Sequence, residues 1–125
     1  MDLSPAEQLV FSYFVANNAQ DFNMVGRWWP YGELVLVVED KIRIATRKFG
    51  FKADLASAKA ARAFLDLLIE RGAFSSKESS LGGIMHQYQT EAYKSLIAEL
   101  QAGDPLIQKA GAEGPDVWKD AFAAL

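Results

Sequence analysis

Between positions 41 and 62 the chain reads "KIRIATRKFGFKADLASAKAAR" and carries seven basic side chains, Lys41, Arg43, Arg47, Lys48, Lys52, Lys59 and Arg62. One acid, Asp54, stands among them, so the window is net +6, while the remainder, with six basic and fifteen acidic residues, is net −9. A cationic block on an acidic protein is the footprint of a directional electrostatic surface, and cations at this density suit the neutralising of phosphates. The same block also fits a solvated helix face whose charges keep the protein in solution.

The remaining chemistry-bearing residues exclude more than they suggest. His86 is the single histidine and sits in "IMHQY" with no acid beside it, so general-base work lacks an orienting partner and a structural role is expected. The absence of cysteine removes disulfides, thiolate nucleophiles and cysteine-ligated metal. Carboxylates are scattered without metal-ligand spacing, and Gly82–Gly83 lacks the lysine and the strand-to-helix setting of a phosphate loop. No enzyme activity, metal or cofactor is expected. Trp28, Trp29 and Tyr31 concentrate large rings in four residues. They can plug a gap between helices or stack on bases, and the area that aromatics bury favours the first.

The elements that must position these groups can be read from caps and periodicity. Ser4, Pro5 and Glu7 spell a helix start with a capping box. Leu9, Val10, Tyr13, Phe14 and Ala16 follow as an apolar stripe; Phe11 falls off it and points to a second packing partner, and Asn17–Asn18 stop the helix. Residues 19–32 read as a connector, because Pro30 and Gly32 break regular structure. Residues 33–49 fit a helix with Leu34, Val38, Ile42, Ala45 and Phe49 on one face, ending at Gly50. They also fit a hairpin turning at "ED", which the β-branched residues favour. The turn lacks hairpin chemistry, so helix is preferred.

Residues 55–71 form the firmest helix, rich in Ala and Leu, with Ala58, Ala61, Leu65 and Leu68 on one side and Lys59, Arg62, Asp66 and Glu70 on the other. Asp54 or Ser57 is expected to cap its start and Gly72 to end it. Ala73–Phe74 then begin a short strand, "SSKESSLGG" makes a polar turn, and "IMHQY" alternates, with Ile84, His86 and Tyr88 opposite Met85 and Gln87. Thr90 is expected to cap a helix that buries Tyr93, Leu96, Ile97 and Leu100. Asp104 and Pro105 start a further segment, "AGAEG" is a joint, and the last helix has Val117, Trp118, Ala121, Phe122 and Leu125 as its apolar side.

This order of helices followed by two short strands resembles a winged helix-turn-helix domain of the kind found in bacterial transcription regulators. The resemblance covers residues 4–100 in outline and 44–92 in detail. It is carried by "ATRKFG" with Ala45, Phe49 and Gly50, by "FLDLLIERGAF" and by "HQYQTEAY". It implies a mainly α fold of five to six helices with a small β-hairpin, built as one domain over residues 1–125, with residues 104–125 a C-terminal helical extension. It also implies that the third helix enters the major groove of double-stranded DNA, with Ser57, Lys59 and Arg62 nearest the bases or phosphates. Lys41, Arg43, Arg47, Lys48 and Lys52 would neutralise flanking phosphates. Asp66 and Glu70 would point away from the duplex. In the wing, Lys77 is the one cation and Glu78 offsets it, so the hairpin grips DNA weakly. The link "FKADLAS" reads as about five residues longer than the usual turn of three to four. Trp118 and Phe122 either pair with a second copy, as in two-fold dimers, or dock on their own domain. A protein-interaction or adaptor role is the alternative. The acidic, polar "MDLSPAEQ" lacks the pattern of a secretory signal, and "LVLVV" is too short to span a bilayer, so a cytoplasmic protein with no membrane partner is expected.

Overall fold

The Ser4 hydroxyl accepts the Glu7 N–H at 3.1 Å, and the Glu7 carboxylate accepts the Ser4 N–H at 2.8 Å. The expected capping box therefore opens the first helix, α1 (Pro5–Asn17), in the computed structural model, which describes residues 2–125. The Ser4 backbone N–H, with help from its hydroxyl and from Lys59, holds the Glu7 carboxyl below its usual range. Every residue from Leu9 to Val15 is buried. A helix without a polar face belongs in the middle of a structure, and the other helices pack around α1. Phe11 finds its second partner in Phe64, edge-on at 6.0 Å.

The connector after α1 holds a 3-10 turn (Ala19–Asp21) and an unexpected strand, β1 (Trp28–Pro30). Two further strands, β2 (Phe74–Glu78) and β3 (Ile84–Tyr88), form the hairpin that the alternation predicts. The three make an antiparallel sheet in the order β1-β3-β2, with Trp29 and Ser76 both opposite His86. β1 lies at an edge, which is where a strand tolerates a proline such as Pro30. The Phe74 and Tyr88 rings face the core, 5.9 Å apart.

Residues 31–46 are helical, not a hairpin: α2 (Tyr31–Thr46) buries Leu34, Val35, Val38, Ile42 and Thr46. A 3-10 turn (Arg47–Phe49) and Gly50 lead directly into α3 (Phe51–Glu70). This helix starts four residues before the expected position 55, so the link is only residues 47–50. Gly50 precedes α3 at φ +99° and ψ −169°, a region essentially reserved for glycine. Neither Asp54 nor Ser57 caps the helix. Asp54 is already in the first turn and pairs with Arg43 at 3.0 Å. Ser57 is buried and its hydroxyl donates back to the Ala53 carbonyl at 3.1 Å. The far end closes as predicted. Gly72, at φ +80°, lets the Ala73 N–H reach the Leu68 carbonyl at 2.8 Å.

The C-terminal part comprises α4 (Thr90–Gly103), α5 (Pro105–Glu113) and α6 (Asp116–Ala123). Thr90 is the first residue of α4 and does not cap it; Gln89 precedes the helix without a side-chain bond. Asp104 does cap α5, accepting the Leu106 and Ile107 N–H groups at 2.9 and 3.3 Å. Tyr93 of α4 ties the connector in place by donating to the Ala19 carbonyl at 2.5 Å. The Tyr13 ring meets Trp118 edge-on at 5.3 Å and Phe122 at 6.0 Å, while Phe49 stacks on Phe122 at 4.0 Å. The extension thus packs into the same core as α1. The chain is mainly helical, with six α-helices and one small three-stranded antiparallel sheet among the described residues. None of those helices is long and apolar enough to cross a membrane.

Candidate nucleic-acid interface

α3 turns one side to solvent: Phe51, Lys52, Leu55, Lys59, Arg62, Asp66 and Glu70 are exposed, at helical spacing, opposite the buried Ala60, Ala61, Phe64 and Leu68. Its first three turns are cationic and apolar, and its last turns are acidic. Phe51 and Leu55 are 74% and 64% exposed. Sequence reasoning missed both: Phe51 fell outside a helix starting at 55, and Leu55, its first residue, was assigned to neither face. Once the start is at 51, positions 51, 55, 59 and 62 fall on one face.

The seven basic residues of the block have different fates. Arg47, Lys59 and Arg62 carry no ion pair within 4.0 Å among the described residues; Lys59 lies near Glu7, and Arg62 lies near Tyr31. Arg43 is taken up by Asp54 at 3.0 Å and Glu39 at 3.5 Å, which removes its charge from any approaching phosphate. Lys52 donates to the Leu125 main-chain oxygen at 2.6 Å. Lys48 sits over the Tyr13 and Phe49 rings at 5.4 and 5.3 Å, and Lys41 over Phe22 at 5.9 Å. Ser57, expected nearest to the bases, is fully buried and out of reach of any ligand. Of the seven, only Arg43 is ion-paired among the described residues; Lys41, Lys48 and Lys52 are exposed but lie against rings or a main-chain oxygen, and Arg47, Lys59 and Arg62 stand free at the turn and along α3.

The sheet and its flanks carry the remaining candidate residues. Lys77 lies over the Trp28 ring at 4.1 Å, and Arg27 over Trp29 at 4.0 Å. Trp28, Trp29 and Tyr31 are half-buried. The Tyr31 hydroxyl donates to Asp66 at 2.6 Å. Burial first, then the bond and charge of Asp66, push the Tyr31 pKa up to about 12, against a small opposing pull from Arg62. Asp66 is thus occupied by Tyr31. At the hairpin tip, Leu81 is almost fully exposed.

His86, on the central strand β3, is buried, with Nδ1 2.9 Å from the Ser76 hydroxyl and its ring 6.3 Å from Tyr31. Burial pushes its pKa below the ordinary value. Asp66 bonds to Tyr31 and not to His86, so serine, histidine and aspartate here do not form a proton relay. Among the described residues no group of three His, Cys, Asp or Glu could hold a metal ion. Trp118 and Phe122 are 3% and 6% exposed, which commits them to their own domain rather than to a second copy.

Comparison with protein-family models, curated proteins and solved structures finds no match to this chain.

Proposed function

We propose that the chain is a winged helix-turn-helix protein that binds double-stranded DNA through α3, acting as a regulator of transcription. The observation that carries this reading is the unit made by α2, residues 47–50 and α3. Two helices joined by a four-residue turn containing a glycine are the ingredients of a helix-turn-helix, and the long link that argued against one is absent. The element order supports it too: helix, strand, two helices, then a hairpin whose second strand pairs with both others.

In this reading the first three turns of α3 lie in the major groove. Lys59 and Arg62 reach phosphates or guanine edges, and Leu55 meets thymine methyl groups. Arg47, at the turn, neutralises a flanking phosphate. The hairpin contributes little charge, because Lys77 is held against Trp28 and Glu78 stands next to it. The test is a fluorescence titration with random-sequence duplex at low and moderate salt. Binding that weakens with salt is expected; no binding at low salt refutes the reading.

A protein-contact module is the second reading, and the exposure of Phe51 and Leu55 favours it. A partner covering these two rather than a phosphate backbone would bind with little salt dependence, and Phe51→Ser with Leu55→Ser would abolish that binding.

A further inference from the structure

Between α1 and the junction of α4 and α5 runs a groove of about 810 Å³. Its size is in the range of small-molecule sites, and its walls include Leu9, Phe11, Val15, Leu100 and Leu106. Two carboxylates, Glu99 and Asp104, line it, and no lysine or arginine does. Glu99 is spoken for by Arg71, at 2.6 Å.

Asp104 is different. Its Oδ1 accepts the Leu106 and Ile107 N–H groups, and its Oδ2 accepts the Ser12 hydroxyl at 2.6 Å, which in turn accepts from Gln8 at 3.2 Å. All three donors to the carboxylate are neutral, and no cation pairs with it among the described residues. A carboxylate offers about four lone-pair sites, so one on Oδ2 is left open. The groove therefore combines an apolar wall with a half-buried negative charge that lacks a counterion. Partly buried charge interacts more strongly than charge in water, and an occupant bringing both an apolar body and an ammonium group satisfies both features.

We infer that this groove binds a small amphipathic cation, an aryl- or alkyl-amine, with its ammonium group on Asp104. The inference stands apart from DNA binding and needs no nucleic acid. Phe11 lines the groove and also packs on Phe64, so an occupant touches a side chain that supports α3.

The test uses isothermal calorimetry on the full chain with phenylbutylamine, phenylbutanol and phenylbutyrate, which share a body and differ in head-group charge. The amine should bind at least about tenfold more tightly than the alcohol, and the acid more weakly than either. Asp104→Asn keeps a good helix cap while removing the charge, and should bring the amine down to the alcohol's affinity. Gly103 lines the groove, and a Cβ there would meet nothing within 4 Å. Gly103→Leu should therefore leave the thermal midpoint unchanged and remove binding of both amine and alcohol. Equal binding of all three probes, no binding of the amine at millimolar concentration, or full binding by Gly103→Leu would each overturn the inference.

Discussion

Replacing Lys59 and Arg62 together by alanine isolates the charge that α3 presents to solvent. Of the seven cations in the basic block, Arg43 is ion-paired, Lys41, Lys48 and Lys52 lie against rings or a main-chain oxygen, and Arg47, Lys59 and Arg62 have neither kind of partner among the described residues. Three phosphate contacts correspond to a slope of about −2.7 in log K against log salt, so affinity should fall about 40-fold between about 50 and about 200 mM. The double variant keeps one contact, with a slope of about −0.9 and a fall of only about 3.5-fold over the same interval. Both side chains are exposed, so folding stability should move by no more than about 0.5 kcal/mol. Fluorescence anisotropy with a labelled random duplex, alongside a urea melt, gives both quantities. If the double variant retains the parent slope, the charge that binds DNA lies elsewhere and α3 is not the contacting helix.

Three further outcomes follow from the packing. Phe64 is buried among Phe11, Phe14 and Phe22, with ring centroids 6.0, 5.3 and 6.5 Å away, so Phe64→Ala should cost about 3–5 kcal/mol in a urea melt. Gly50→Ala forces a side chain into φ +99° and should cost about 1–3 kcal/mol, with DNA affinity falling as the turn distorts; an unchanged midpoint would contradict the geometry. Burial lowers the His86 pKa in the folded chain, so the unfolded chain binds the extra proton first as pH falls. Stability should be complete above about 6.5 and drain away below it as pH falls towards the folded value, and urea melts at about pH 8 and about pH 5.5 should differ less in His86→Gln.

Several local signals were legible because their physics is local, although Thr90, read as a cap, is instead the first residue of α4. The Ser4–Pro5–Glu7 cap, the Gly72 stop and the Asp104–Pro105 start all rest on bonds spanning only a few residues, and each is present. The preference for helix over residues 33–49 was legible in the stripe of Leu34, Val38 and Ile42. β1 was not, because a three-residue strand has too little length for periodicity and exists only by pairing with β3, far away in sequence. The start of α3 was misread because Asp54 and Ser57 look like caps. Their side chains instead meet Arg43 and the Ala53 carbonyl, partners that exist only once the helix has begun upstream.

By itself the sequence determined the helical character of the chain, the hairpin after Gly72, and the concentration of positive charge between Lys41 and Arg62. Composition and periodicity act along the chain and need no distant partner. The tertiary structure decided which of those charges are free, that Ser57 is hidden while Phe51 and Leu55 are exposed, and that Trp118 and Phe122 pack on Tyr13. It also brought Asp104 to Ser12, at the wall of an apolar groove. Each of these turns on which side chains meet across elements far apart in sequence. Helical spacing gives a residue its face, but only packing gives that face a neighbour or leaves it to solvent.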